Sequence, residues 1–400
     1  MAKLEFNDLN FVEENNKIRI DFLKYFYFSI DKDELRKIDD FDIGTNYINF
    51  KNINEKSARN KFNLLLERGF NELKSKLTGK KAVYIHKNSR IPLIGNNSFG
   101  IIDRNTNLIE VKPITGCNLS CIYCSVDQEK RNTEFVVEEE YLIAELKKVI
   151  EYKECNNIEI HIASQGEPFF YSYLKYLIKD IKKINNVKVI SIDTNGTLLS
   201  KKIIDEMVKA GLTRFNLSIN SLNKKKAEHI AGCNYNPDNI KELCSYILNK
   251  CDLLIAPVLI LGINNEDIED IIKFYKNLKG KYNKYIGIQN FLEYRFGRKP
   301  VKALPMDEFY KRLKSLEDKY KISLIVTKFD FDIVKTKSLL KPFKKGNIIK
   351  ANIICDGRFK NEKIAAADNR NISVPNCYKK GMVKLKITRS KHNIFFGKVL

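Results

Sequence analysis

VKPITGCNLSCIYCSVDQ, residues 111–128, carries Cys117, Cys121 and Cys124 in a CxxxCxxC spacing directly after an apolar, strand-like run. Three thiols within eight residues suit metal ligation better than core filling, where a free buried cysteine stands alone. A closed zinc site needs a fourth ligand, and no His follows at finger-like spacing. A cubane 4Fe-4S cluster takes four thiolates. A loop with three reaches three irons and leaves the fourth open to chemistry, as a catalytic zinc keeps an open position. The stretch is therefore read as the seat of a 4Fe-4S cluster with an open iron.

Outward from this loop, strand-like and helix-like segments alternate. Strands are expected at LIEV (108–111), IEIHI (158–162), VKVISI (187–192), RFNLSI (214–219), LLIAPVLIL (253–261) and YIGIQ (285–289). Amphipathic helices fit between them at Glu138 to Tyr152, Phe170 to Ile184, Lys201 to Ala210, Pro237 to Asn249 and Asn265 to Leu278. Repeated βα units predict an α/β fold with a parallel sheet of six strands curled into a partial barrel. Chemistry in such folds gathers at the C-terminal strand ends, and the cysteine loop follows strand one.

The cysteines, with Gly116, Asn118, Leu119 and Ser120 around them, resemble the radical S-adenosylmethionine (SAM) superfamily, most closely its molybdenum-cofactor-biosynthesis and activase-like branch. The resemblance implies a partial (βα)6 barrel over residues 107–330. It also implies that Cys117, Cys121 and Cys124 hold a 4Fe-4S cluster and that SAM chelates the open iron. Reduction by an electron donor such as ferredoxin or flavodoxin would then release a 5'-deoxyadenosyl radical. Gly166 and Glu167 resemble the family's GGEP motif at the SAM amino group, with Gln165 where glycine is usual. Thr194 and Asn195, before Gly196, are similar to its TNG turn. Ser218 and Asn220 end strand four where the family contacts SAM, and Gly262 resembles its adenine-side glycine.

Other cysteines and histidines receive no such role. Cys233, Cys244 and Cys251 are spaced for a second cluster but suit free buried thiols as well. His161, inside an apolar strand, is read as a satisfied core or pocket histidine. Cys355 and Cys377 lie in the tail without an assigned function.

Composition bounds the rest. The 400 residues are 44 % apolar, enough for more than one domain. There are nine cysteines, none before Cys117, which is the pattern of a reducing compartment rather than a disulfide framework. No leader and no run of 18 apolar residues is found, so a cytoplasmic protein without a membrane partner is expected. The net charge is +22, and residues 341–400 hold fifteen Lys or Arg against three acids. Compositional bias would add Glu as well, so this imbalance favours a polyanionic partner.

Residues 1–75 are read as a packed accessory region of mixed helical periodicity and aromatic runs, with a helix over Ala58 to Leu77. Residues 76–106 are read as a β-rich lead-in with strands at AVYIH (82–86), RIPLIG (90–95) and FGIID (99–103). ISLIVTKF (322–329) is an expected further strand, and residues 330–341 a connector. From Pro342 short strands follow at close intervals with no helix between them, the mark of a small all-β barrel. Residues 371–375 and 380–388 resemble the TRAM domain, an OB-like barrel known from RNA-modifying enzymes, which covers residues 342–400. Its basic side chains, with Phe395 and Phe396 to stack or pack, suit RNA.

The combined expectation is a radical SAM enzyme that modifies RNA, transfer RNA first. One alternative is a radical SAM maturase or biosynthetic enzyme for a peptide, cofactor or lipid. Another is a non-enzymatic RNA-binding protein with a structural cluster. Methylthio transfer is set aside because residues 1–116 lack the further cysteines it uses. No cobalamin-type DxHxxG run or C-terminal auxiliary-cluster pattern is present.

Overall fold

An apolar strand face has to be covered, and this dictates the central unit. In Ile158–Ile162, for example, Ile158, Ile160 and Ile162 share one face and are fully buried, while Glu159 and His161 lie on the other. A computed structural model describes all residues, Met1–Leu400. Six parallel strands lie side by side in chain order: Leu108–Lys112, Ile158–Ile162, Val187–Thr194, Arg214–Leu217, Asp252–Ile255 and Lys284–Ile286. The antiparallel strand Gly100–Asp103 extends the sheet beyond strand one, and the sheet does not close.

Helices Glu139–Lys153, Leu174–Lys182, Lys201–Ala210, Pro237–Ile247 and Asn265–Asn277 connect the strands, close to the expected spans. Leu142, Leu146, Val149 and Ile150 bury the stripe of the first. Ser200 and Asn236 cap two others through side-chain oxygens, and Pro237 starts the latter's first turn. A further helix, Lys224–Ala231, lies beside the cysteine loop. It is short and its first three residues are lysines, so its apolar stripe is weak in sequence.

The N-terminal region differs from expectation. Residues 2–50 are mainly strands, and the one long helix is Glu55–Asn71, which stops short of Leu77. A period of two in Phe26–Asp31, where Phe26, Phe28 and Ile30 point inward, decides for strand. The sheet Leu9–Glu14, Lys17–Phe22, Phe26–Asp31, Lys74–Ser75, Lys81–Ile85 and Thr133–Val137 crosses the boundary expected at residue 75. Its last strand comes from beyond the cysteine loop and pairs in parallel with Lys81–Ile85. RIPLIG forms no strand but supplies carbonyls to the C-terminal unit. Residues 322–327 form no strand either: Leu324 and Ile325 give their N–H groups to the Glu317 carboxylate at 2.6 and 2.9 Å.

The C-terminal unit is a closed barrel of five strands, Ile348–Asp356, Lys363–Ala367, Arg370–Val374, Gly381–Arg389 and Phe396–Val399. Alternate residues of Gly381–Arg389 fill its core, with Val383, Leu385 and Ile387 inside and lysines outside. Phe395 is fully buried and meets Phe343 edge-on at 5.4 Å, so it packs and is not free to stack on a ligand. Phe396 is half-buried.

This barrel is bonded to the rest, not tethered. The Asn371 and Phe395 N–H groups donate to the Ile94 and Gly95 carbonyls at 2.9 and 2.8 Å. The Asn371 and Asn96 amides donate to the Pro92 carbonyl and the Ser373 hydroxyl at 2.6 and 3.0 Å. Gly95 has φ +137°, and a Cβ there would lie 1.9 Å from the Asn371 carbonyl oxygen, so only glycine permits the approach. No helix is long and apolar enough to cross a membrane.

Candidate functional site

The ends of strands one to four converge on a cavity of about 550 Å³. Cys117, Cys121 and Cys124 line it together with Gly166, Glu167, Thr194, Asn195, Ser218 and Asn220. Nine of the ten expected site residues are thus brought together. Gly262 is the exception: it is not in this wall, a Cβ there would meet nothing within 4 Å, and its N–H is taken by the Asn265 side chain at 3.0 Å.

The cysteine loop is held from several directions. The Ser120 and Ile122 N–H groups donate to the Ala231 and Ile230 carbonyls at the end of the short helix, at 2.9 and 3.0 Å. The Arg298 N–H donates to the Cys124 carbonyl at 2.9 Å. Its guanidinium reaches the Ser120 carbonyl at 2.5 Å, Asp127 at 3.3 Å and Glu129 at 2.8 Å. The Asn220 amide donates to the Tyr123 hydroxyl at 2.7 Å, while its oxygen accepts from the Val258 N–H. None of these bonds uses a cysteine sulfur; the Leu119 N–H does approach the Cys117 sulfur, at 3.4 Å.

Burial pushes all three thiols up, Cys121 to about 12, and each thiol's neighbours in the loop add to the effect on Cys117 and Cys121. They are neutral until a metal replaces their protons. The fit to a cluster rests on this donor set: three soft ligands face one cavity, yet no three Cys, His, Asp or Glu side chains close on a single-ion position. Sulfurs spread around a cavity suit a polynuclear group. When bound there, a 4Fe-4S cluster and SAM supply reductive cleavage of the sulfonium.

The second-strand turn is built on close backbone contact. Thr115 and Gly116 pair in parallel with Gln165 and Gly166, and a Cβ on Gly166 would lie 2.0 Å from the Gly116 carbonyl oxygen. Glu167 is buried, and its two oxygens accept from the Thr194 hydroxyl and the Asn195 N–H, both at 2.8 Å, and from the Phe169 N–H at 3.2 Å. Burial raises its carboxyl to about 7 despite these donors. Glu167 thereby ties strand two to strand three. The Asn195 amide approaches the Cys117 sulfur at 3.8 Å and the Asn118 oxygen at 3.0 Å.

Deeper in the cavity, His161 bridges the Ser191 hydroxyl at 2.9 Å and Asp193 at 3.1 Å. It is a satisfied pocket histidine, as expected. Cys244, Cys251 and Cys377 are buried in apolar cores, Cys233 is half-buried, and neither Cys233 nor Cys355 lines the cavity.

Two buried arginines escaped the sequence reading. Arg131 pairs with Glu134 at 2.8 Å and donates to the Gln165 carbonyl at 2.6 Å. Arg358, from the C-terminal barrel, donates to the Gln165 side chain. Gln165, unusual in the motif, is thus one point where core and barrel meet. A polar residue in place of the expected glycine was the available signal.

A sheet with thiols and polar ends gathered at one rim defines a class, an iron-sulfur enzyme on a partial α/β barrel. The profile of the Radical SAM superfamily matches residues 111–275. An uncharacterized protein of Methanocaldococcus jannaschii, MJ0103, is 38 % identical over 362 residues, covering 82 % of this chain and 83 % of that protein. A GTP 3',8-cyclase of Aquifex aeolicus is 26 % identical over 182 residues, 44 % of this chain and 55 % of the cyclase. The chain thus spans about half the length of the cyclases it matches. Among solved structures, TYW1 with a lysine-pyruvate adduct bound is 21 % identical over 57 % of this chain and 78 % of that one, at a TM-score of 0.41. The chain belongs to the radical SAM superfamily, whose members are enzymes that use a 4Fe-4S cluster and SAM.

Proposed function

We propose that this radical SAM enzyme modifies RNA, with transfer RNA the first substrate to test. One observation carries the reading: an acid-poor, lysine-rich five-stranded barrel is bonded directly to the rim of the cysteine cavity through Arg358 and Gln165. A polyanion drawn to that barrel is thereby presented to the site of radical chemistry. The barrel is taken as TRAM-like. Gly166, Glu167, Thr194, Asn195, Ser218 and Asn220 are assigned to the SAM seat, with Glu167 acting through the turn it holds and Asn195 beside the Cys117 ligand. A ferredoxin or flavodoxin is the proposed electron donor.

The test is nucleoside mass spectrometry of RNA from cells with and without the gene, beside 5'-deoxyadenosine formation by the anaerobically reconstituted protein. The reading expects one nucleoside to change and SAM cleavage to vanish in Cys121→Ala. Identical nucleoside profiles in both cell lines would refute the RNA assignment.

A further inference from the structure

A second cavity, of about 740 Å³, lies in the seam between barrel and core. Arg104, Lys112, Arg295, Arg358, Arg389 and Lys398 line it, and no acidic residue does. Arg104 and Lys112 share Glu110, but the other four lie in no salt bridge. Six cations around one hollow repel one another, and the arrangement is stabilised when an anion enters.

Arg358 makes the case specific. It is 5 % exposed, donates one Nη to Gln165, and its Nε has no partner. Burial lowers its guanidinium to about 10, an unusual cost for an arginine. Glu362 offsets this in part without forming a salt bridge, while Arg131 adds to it, and a buried cation so weakly compensated is unfavourable unless something brings the opposite charge. The planar guanidinium fork matches phosphate oxygens in geometry as well as charge.

Flat surfaces flank the charges. Phe296 and Phe359 stack at 4.2 Å and 27°, and the Arg295 and Arg358 guanidinium groups cover these rings at 5.0 and 4.4 Å. Phe296 belongs to the core and Phe359 to the barrel, so the stack closes the seam. The hollow also opens toward the cysteine cavity: Lys112, Ser125, Gln165 and Tyr294 line both, and Ser125 follows the ligand Cys124. Its volume suits one nucleotide.

We propose that this seam is a nucleotide seat, in which Arg358, Arg389, Lys398 and Arg295 hold the phosphate and turn the attached nucleoside toward the cysteine cavity. It deepens the RNA reading and rests on it for the source of the phosphate, since a free nucleotide carries the same group. The barrel's lysines would collect the polyanion, and the seam would select the unit that reacts.

The experiment measures binding to the full, anaerobically reconstituted chain by fluorescence polarisation of a labelled single-stranded RNA hexamer, with the four nucleoside 5'-monophosphates as competitors. Arg389→Ala and Lys398→Ala remove exposed side chains and should fold normally, which melting curves verify. Lys384→Ala, on the same barrel but outside the seam, is the charge control. Each seam variant is expected to weaken hexamer binding about tenfold, and the control less than about twofold. Equal losses in seam and control variants would overturn the seat while leaving the RNA reading intact. Seam variants that lose monophosphate binding but hold the hexamer as wild type does would support the seat and refute RNA as the source. No binding of either probe by wild type, or unchanged binding of both in the seam variants, overturns the seat.

Discussion

The Arg131→Met substitution probes how the turn at Gln165 and Gly166 is held. Arg131 and Glu134 have fully or almost fully buried side chains, and Glu134 also accepts from the Thr115 hydroxyl at 2.5 Å beside the cysteine loop. Removing the arginine leaves Glu134 without its cation and the Gln165 carbonyl without its donor. Stripping one partner from a buried pair costs about 3–5 kcal/mol. Unfolding entropy of about 2.1 cal/mol/K per residue over 400 residues gives a melting shift of about 4–6 °C if the chain unfolds as one unit. A larger shift is expected if the N-terminal and core regions melt separately from the barrel. Adding Glu134→Gln should recover most of the loss, because the stranded charge is then gone. Differential scanning calorimetry of the metal-free protein measures both. A shift below about 1 °C in Arg131→Met, or a double variant no better than the single, would refute the reasoning.

The other predictions concern the loop, the seam and one titration. Arg298→Ala removes three bonds to the cysteine loop and should lower iron content after reconstitution by more than about half, read by iron assay and visible absorption; full loading would count against the brace. Gly95→Ala places a Cβ 1.9 Å from the Asn371 carbonyl oxygen and should open the seam, seen as faster proteolysis in residues 341–346; an unchanged cleavage rate would show that the barrel docks by other means. Glu139 is half-buried with its carboxyl raised to about 7, by burial first and then by Asp180 and Glu140. Its folded-state pKa lies above the ordinary 4.5, so the stability it contributes is present at low pH and is lost as pH rises through about 7. Glu139→Gln should therefore match wild type in melting temperature near pH 4 and exceed it at pH 8. A constant difference across that range would contradict the assignment.

What the sequence disclosed follows from how far apart the deciding residues lie. The six core strands and five helices were legible because each carries its own period, as in Ile158, Ile160 and Ile162 or Leu142, Leu146 and Val149. The cysteines, Gly166, Glu167 and Asn195 were legible as local motifs at successive strand ends. Arg131, Tyr123, Arg298 and Arg358 were not, since their partners lie 34, 97, 178 and 193 positions away. The N-terminal strands were hidden by Phe and Tyr, which serve strand and helix alike in a short window. Thr133–Val137 was passed over because its partner strand is Lys81–Ile85, on the other side of the cysteine loop. Gly262, read as a motif glycine, lies outside the cavity wall.

Thr133–Val137 also bonds on its second side, where the Phe135 N–H reaches the Thr115 hydroxyl at 2.7 Å and the Val137 N–H reaches the Pro113 carbonyl at 2.8 Å. The strand is a rivet through two plates, the N-terminal sheet on one side and the end of core strand one on the other. Such a chain resists modular dissection. A fragment cut at residue 107 would keep the rivet and lose a plate, leaving the Lys81–Ile85 side of Thr133–Val137 as a bare apolar edge inviting aggregation. For the same reason the N-terminal region cannot be exchanged by recombination as an independent cassette: the two halves have to be inherited, and improved, together.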